Sequence, residues 1–393
     1  MADQNLIAQE VFNKFRHSKA KKGLVAIKVD MEQAYDSMCW STLEKVMEWF
    51  GLPKIFSKLI LECVVNPKIS ILINAGSIKW IGAHCGFRQV CSLSPFLFII
   101  CSQLLTEEFG HLGKRIGVKV SHLMYADDIL IFSKANKKCL KKVDKILKNY
   151  CSWTGQKVNL PKLAALFSKN VKKTECRSLL KVINMKMVKE MKYLGIKIDL
   201  RRLVKSDFNK LVVKTAARMN LWGTKFISLA GKITLINASV LSLPTYLSSH
   251  SLIPLGVLYD MERMCRDFIW NKRDGSYGMH YVSWSSLCKP KNKGGYGLQS
   301  LVEKLGPLRA KFALNFITKS NSLLNRILRA KYGNDLWNDA NRNYYSSTWK
   351  LIQKGAESLF PVLRWKIADG KRVDTFKDIW ILDKSIDKWP TFV

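Results

Sequence analysis

The segment Tyr125-Ala126-Asp127-Asp128 constrains the fold of this chain more than any other. Apolar runs flank it, residues 118–124 on one side and Ile129 to Phe132 on the other. Two β-type runs around a tight turn predict a hairpin. Adjacent carboxylates at a hairpin tip repel each other and lose hydration together. That is unfavourable unless a cation neutralises them. The formal net charge is +35, from 65 Lys plus Arg against 30 Asp plus Glu. An acidic turn between apolar strands in so basic a chain predicts a divalent-metal site for chemistry on phosphates. An exposed Asp-Asp turn with no such role is the plain alternative.

The 393 residues suffice for two or three domains, and 48% hydrophobic content predicts that most of the chain folds. The cationic excess implies a polyanionic partner, nucleic acid or an anionic membrane surface. The longest apolar run, Leu93 to Leu105, is broken by polar residues and falls short of the ~20 residues that span a bilayer. The start of the chain has no basic, apolar and small-residue leader pattern. Nucleic acid, with no membrane, is therefore the expected partner. The ten cysteines form no CxxC pair and no zinc-type spacing with histidine. Reduced thiols in an intracellular compartment are expected.

The pattern predicts a helix from Asn5 to Phe15, a basic turn over residues 18–23 and a strand from Leu24 to Val29. A helix from Thr42 to Phe50 follows, with Ser41 and Glu44 as a capping box and Gly51 as its stop. Asn74-Ala75-Gly76 predicts a second hairpin. Ser94-Pro95 opens a helix apolar on most faces through Leu105, which should be buried. From Asn136 to Tyr150, Leu140, Val143, Leu147 and Tyr150 repeat at helical spacing beside six lysines, whose default reading is a solvated face. Beyond about residue 200 the pattern is mainly helical, with Trp222, Phe226, Leu229, Ile233 and Ile236 as core positions. Gly294-Gly295-Tyr296-Gly297 marks a loop, and residues 364–380 are rich in Trp and charge.

Asp30 ends the first strand. If that strand neighbours the acidic hairpin, Asp30, Asp127 and Asp128 could together hold two Mg²⁺ ions about 3.5–4 Å apart, the spacing of in-line phosphoryl transfer. Oxygen ligands suit Mg²⁺, which completes its shell with water and substrate phosphate. Such chemistry requires no protein nucleophile.

Val29 to Tyr35, Phe87 to Pro95 and Tyr125 to Asp128 resemble motifs A, B and C of reverse transcriptases. Gly155 to Lys162 resembles motif D, and Tyr193-Leu194-Gly195 resembles motif E. Residues 228–246, 289–298 and 365–370 also resemble the family, in its order. More narrowly, the chain looks like plant LINE-type (non-LTR) retrotransposon polymerases. The resemblance implies an α+β right-hand polymerase. Residues 1–200 would form the palm with partial fingers, 201–300 a thumb-like helical region, and 301–393 a C-terminal connection of uncertain structure. It implies RNA-directed DNA polymerisation with two Mg²⁺ ions, an RNA template, a DNA primer and dNTPs, in the nucleus.

By the same resemblance, Asp30, Asp127 and Asp128 match the metal-binding aspartates. Tyr35 matches the aromatic under the incoming sugar, which excludes a 2′-hydroxyl. Gln89 matches the residue that contacts the nucleotide, and Arg88 would sit near phosphate. Lys162 matches the lysine that protonates the leaving pyrophosphate. Plain readings stand beside these: Tyr35 as a core aromatic, Gln89 as a helix-start residue, Lys162 as one lysine among many. Asp36 is expected to support its loop.

The chain departs from the family at Val90, where glycine is usual after the glutamine, and at Ser92, where proline is usual. A β-branched residue tolerates neither close backbone approach nor unusual φ. The family's fingers strands lie upstream of motif A, so the chain reads as truncated at its N-terminus. The alternative function is a catalytically inactive retroelement relic that binds nucleic acid. An intron-encoded maturase-like protein ranks third. Oligomeric state is not legible.

Overall fold

A computed structural model of the chain describes residues 2–18, 23–77, 79–110, 120–222, 227–271, 278–319, 321–336, 345–367, 373–376, 379–381 and 385–389. The basic turn at 19–22, the start of the apolar run at 118–119, Phe226, the Trp222 side chain and residues 368–370 lie outside the described residues. The chain divides into two units, Met1–Arg201 and Arg202–Val393.

The first unit begins with α1 (Ala2–His17), β1 (Leu24–Val29), β2 (Met31–Glu32), α2 (Trp40–Trp49) and α3 (Lys54–Val64). Four short strands follow: β3 (Lys68–Ile69), β4 (Leu72–Ile73), β5 (Gly76–Ser77) and β6 (Ile81–Gly82). Then come α4 (Ser94–Gly110), β7 (His122–Tyr125), β8 (Asp128–Lys134), α5 (Lys137–Thr154), β9 (Lys157–Val158) and β10 (Ala164–Phe167). The unit closes with α6 (Lys173–Ile183), β11 (Lys186–Met187), β12 (Glu190–Tyr193) and β13 (Ile196–Asp199).

Its central sheet has the order β11-β10-β1-β8-β7. β1 lies in the middle, antiparallel to both neighbours. The sequence Leu-Val-Ala-Ile-Lys-Val explains that position: an apolar run must be covered on both faces. Val25, Ile27 and Val29 join the core formed with Phe98, Leu105, Leu140, Leu147 and Leu179 of α4, α5 and α6. Phe12 and Phe15 of α1 pack edge-on against Phe132 of β8. Each buried aliphatic side chain contributes about 1.5–3 kcal/mol, so the helical layer fixes which residues of β1 face the core. The α+β class expected from sequence is the class observed.

α5 is bounded as its sequence dictates. The Asn136 side chain accepts a hydrogen bond from the Cys139 amide at 2.7 Å. Gly155, at φ 73°, ends the helix in the left-handed conformation that glycine adopts without a Cβ penalty. Leu140, Val143, Leu147 and Tyr150 are buried, and the lysines at 137, 138, 141, 142, 145 and 148 are exposed.

Three local expectations fail. The capping box at Ser41 does not form, because α2 starts at Trp40 with Cys39 as its N-cap and no side-chain cap. Tertiary contacts set that start: the Cys39 amide donates to Thr154 O at 2.8 Å, and the Thr42 hydroxyl donates to Trp153 O. α4 is not buried all round. Leu97, Phe98, Cys101, Leu105 and Phe109 form its inner stripe, while Phe96 and Ile99 are exposed. In the second unit Leu229 is exposed, since the Ser228 cap places it at the first helical position. The hairpin around Asn74 forms as expected. β4 pairs with β5, and Asn74 and Ala75 take the positive φ of a type I′ turn.

The second unit is helical: α7 (Asn209–Trp222), α8 (Leu229–Leu235), α9 (Thr245–His250), α10 (Leu255–Trp270), α11 (Trp284–Leu287), α12 (Leu305–Thr318), α13 (Leu323–Tyr332) and α14 (Ser347–Leu359). Ile233, Ile236, Leu258, Met261, Cys265 and Phe268 form one core. Phe316 of α12 meets Trp349 of α14 edge to face at 5.4 Å. Lys232 is buried with its ammonium donating to the carbonyls of Ile269 and Asn271 at 3.2 and 3.0 Å. That satisfies a charge which would otherwise be costly to bury. Among the described residues, no helix is long and apolar enough to cross a membrane.

Candidate functional site

The acidic turn forms at the tip of the β7–β8 hairpin. Tyr125 pairs with Asp128 across the two-residue loop, and Ala126 takes φ 52°. A positive φ at the first loop position alone is the twist of a type II′ hairpin turn. β8 in turn pairs with β1, Ile129 opposite Val29. Asp30, the next residue after Val29, therefore emerges beside Asp128. The two acidic segments expected to meet are brought to one end of adjacent strands.

Their charges are met by lysines. Lys28 Nζ lies 2.9 Å from Asp128 Oδ1 and donates to Lys192 O at 3.0 Å. Lys162 Nζ lies 2.9 Å from Asp30 Oδ2. Asp127 is exposed and has no hydrogen bond or ion pair among the described residues. Asp30 holds the Lys162 ammonium above its ordinary range by hydrogen bond and charge, with Asp127 and Asp128 adding to the same effect. One ammonium thus senses all three carboxylates.

The segment carrying Lys162 is itself tied to Asp30. β9 pairs with β2, Val158 opposite Met31, and the Asn159 amide donates to Asp30 O at 2.9 Å. The Asn159 side chain caps the short turn Leu160–Lys162.

The three carboxylates do not stand as a ready ligand set. Among the described residues, no three His, Cys, Asp or Glu side chains converge closely enough to hold a metal ion. Asp30 and Asp128 are each turned to an ammonium group. The donor type nonetheless suits a hard divalent cation: three carboxylates lie at one sheet end, and a cation there would displace Lys28 from Asp128 and Lys162 from Asp30.

Tyr35 lies on the turn that follows β2. Its ring stacks on Phe98 at 4.6 Å and 13°. Burial, and then the charge of Asp127 and Tyr125, raises its phenol above the ordinary value. The ring is thus partly packed, as the core reading expected, with its hydroxyl end within reach of the acidic turn's charge.

The loop bearing Arg88 and Gln89 is docked on the same turn. Amides of Gly86 and Phe87 donate to Met38 O and Tyr35 O, each at 2.8 Å. The Trp40 indole donates to Gly86 O at 2.7 Å. Gln89 Nε2 donates to Asp36 Oδ1 at 3.1 Å and Oδ2 at 3.3 Å. Asp36 therefore supports its loop, and the Gln89 amide is engaged by it. The exposed Arg88 guanidinium has no hydrogen bond or ion pair among the described residues. Val90 takes φ 61° with its side chain fully exposed. The chain keeps there the conformation that glycine would adopt freely, with a β-branched residue in it.

Sequence reasoning missed three participants. Lys28 is the only charge in the apolar run of β1, and that isolation was its signal. Gln156 is buried and donates to Ala34 O at 2.7 Å, beside Tyr35. Gln4 links Met124 O, at 2.7 Å, to the Tyr193 hydroxyl, at 3.1 Å, and so ties β12 to β7. A glutamine in a helix carries no pattern that would have revealed it.

Residues 3–198 match the family described as "Reverse transcriptase (RNA-dependent DNA polymerase)". A putative ribonuclease H protein of Arabidopsis thaliana is 28% identical over 191 residues, which is 47% of this chain and 31% of that protein. This chain thus aligns with about a third of the length of that relative. An uncharacterized mitochondrial protein of Arabidopsis thaliana is 27% identical over 148 residues, 37% of this chain and 96% of that protein. Among solved structures, the apo telomerase of Candida tropicalis superimposes with a TM-score of 0.42 at 15% identity, covering 82% of this chain and 56% of the telomerase. The same enzyme with a fragment of telomeric RNA gives a TM-score of 0.39 at 16% identity, covering 82% and 52%.

Proposed function

We propose that this chain is the RNA-directed DNA polymerase domain of a non-LTR retrotransposon of the plant LINE type, working by two-metal nucleotidyl transfer. One observation carries the reading: strand pairing sets Asp30 beside the Asp127-Asp128 turn, within the field of a single lysine. The match of residues 3–198 to the reverse transcriptase family supports it. The template is RNA, the primer DNA and the substrates dNTPs. The helical region 201–300 serves as thumb and 301–393 as connection.

Asp30, Asp127 and Asp128 would hold two Mg²⁺ ions, which would make the primer 3′-hydroxyl more acidic and offset charge on the triphosphate. Lys28 and Lys162 hold Asp128 and Asp30 until then. Lys162, released from Asp30, donates a proton from Nζ to the leaving pyrophosphate. Tyr35, fixed by its stack on Phe98, presents its ring to the sugar and excludes a 2′-hydroxyl. The Arg88 guanidinium meets the triphosphate, and Gln89 exchanges Asp36 for the nucleotide. Primer extension on an RNA template with Mg²⁺ tests this. Equal product from wild type and Asp127→Ala/Asp128→Ala would refute it.

The positive φ of Val90 favours a second reading, an inactive relic that binds nucleic acid through its charge. It predicts RNA or DNA binding that weakens steeply with salt. Template-dependent dNTP incorporation would exclude it.

A further inference from the structure

A pocket of about 440 Å³ opens between α5, α6 and residues 156–163. That volume lies within the range of sites for small organic ligands. Leu147, Val158, Leu163 and Ile183 supply apolar wall. Three lysines stand around it, Lys148, Lys157 and Lys181. Lys148 is paired with Asp144 at 2.7 Å, whereas Lys157 and Lys181 have no ion pair among the described residues. Gln156 belongs to the same lining, with its side-chain amide closed to solvent and turned to Ala34 O. Apolar wall and two uncommitted ammonium groups describe one kind of occupant.

We propose that this pocket binds a small aromatic acid, and that its occupant acts on the acidic turn through residues 156–162. The aromatic body covers the aliphatic wall, and the acid group meets Lys157 and Lys181. The coupling route is short. Gln156 donates to Ala34 O beside Tyr35, Val158 pairs with Met31, Asn159 donates to Asp30 O, and Lys162 ends on Asp30. One side of this segment lines the pocket, and the other holds the start of the site. An occupant therefore stiffens the segment and holds Lys162 on Asp30.

Binding does not depend on the polymerase reading, so the test avoids activity. Indole-3-propionate is titrated into the full chain by calorimetry, with its neutral amide as control. Hydrogen exchange is followed with and without the acid. The acid should bind more tightly than the amide and slow exchange at residues 156–162. Lys157→Glu/Lys181→Glu, two exposed changes that leave the core intact, should weaken binding about tenfold, a few-fold for each exposed charge pair. Val182→Trp should fill the space and abolish binding. No binding at millimolar acid, equal affinity in the Lys157→Glu/Lys181→Glu variant, or slowed exchange elsewhere but not at 156–162 would each overturn the proposal.

Discussion

Replacing Val90 with glycine should stabilise the loop that carries Arg88 and Gln89. Val90 sits at φ 61°, where the left-handed conformation costs a non-glycine residue about 1–2 kcal/mol. β-branching places it at the upper end of that range. Its side chain is 107% exposed, so truncation forfeits no burial. Glycine returns part of the gain as extra chain entropy, about 0.5–1 kcal/mol. The net is about 1 kcal/mol in favour of the variant, roughly a fivefold rarer local opening. Native-state hydrogen exchange over residues 86–94 reads this directly, without requiring the two units to unfold together. Val90→Ala, which removes the branch but keeps the Cβ, should fall between. Faster or unchanged exchange in Val90→Gly would refute the strain argument. The same substitution should strengthen dNTP binding if the loop shape limits access to Gln89.

Lys28→Met should leave Asp128 without its ammonium partner, costing up to about 1 kcal/mol, or roughly 2–4 °C in Tm. Mg²⁺ should then raise Tm more than in wild type, and chelation should reverse the gain. Equal Mg²⁺ shifts would argue against competition for that carboxylate. Gly86→Ala places a Cβ 2.4 Å from Asp36 O at a residue with φ 88°. Left-handed strain and overpacking together should cost about 2–4 kcal/mol in urea titration and loosen the Gln89–Asp36 bond. Burial lowers the pKa of His122. The unfolded chain therefore takes up the proton first, so stability is full above about pH 6.5 and is lost as pH falls from there toward the folded value. His122→Gln should flatten Tm between pH 7.5 and 5.5. Cys101 is pushed up to about 12 by burial, while amide hydrogen bonds from Leu93 and Ser94 lower Cys91. Alkylation followed by mass spectrometry should label Cys91 well before Cys101.

The strand at Leu24–Val29, the acidic hairpin and the cationic α5 were legible because each rests on local periodicity and turn chemistry. The meeting of Asp30 with Asp128 was legible as a condition, and strand register fulfilled it. What sequence could not supply were the partners chosen by tertiary contact. Nothing in residues 28 and 128 announces a 2.9 Å pair, and nothing in Gln89 announces Asp36. The failed cap at Ser41 has the same origin. A local motif was available, but anchors to Trp153 and Thr154 began the helix two residues earlier. Val90 shows the converse. The family resemblance flagged an unsuitable residue, yet the backbone kept the glycine-like φ because neighbouring hydrogen bonds fix the loop around it.

The central position of β1 also sets a kinetic condition during synthesis. Its six residues end at Val29, but β8 is complete only at Lys134, 105 residues later by subtraction. At about 5–20 residues per second, the strand waits roughly 5–20 s for its first neighbour in the sheet. A short apolar β-former left unpaired that long is the kind of segment that recruits copies of itself. Lys28 interrupts it with a charge, as gatekeeper residues do. The side chain that later neutralises Asp128 would thus first keep nascent chains apart.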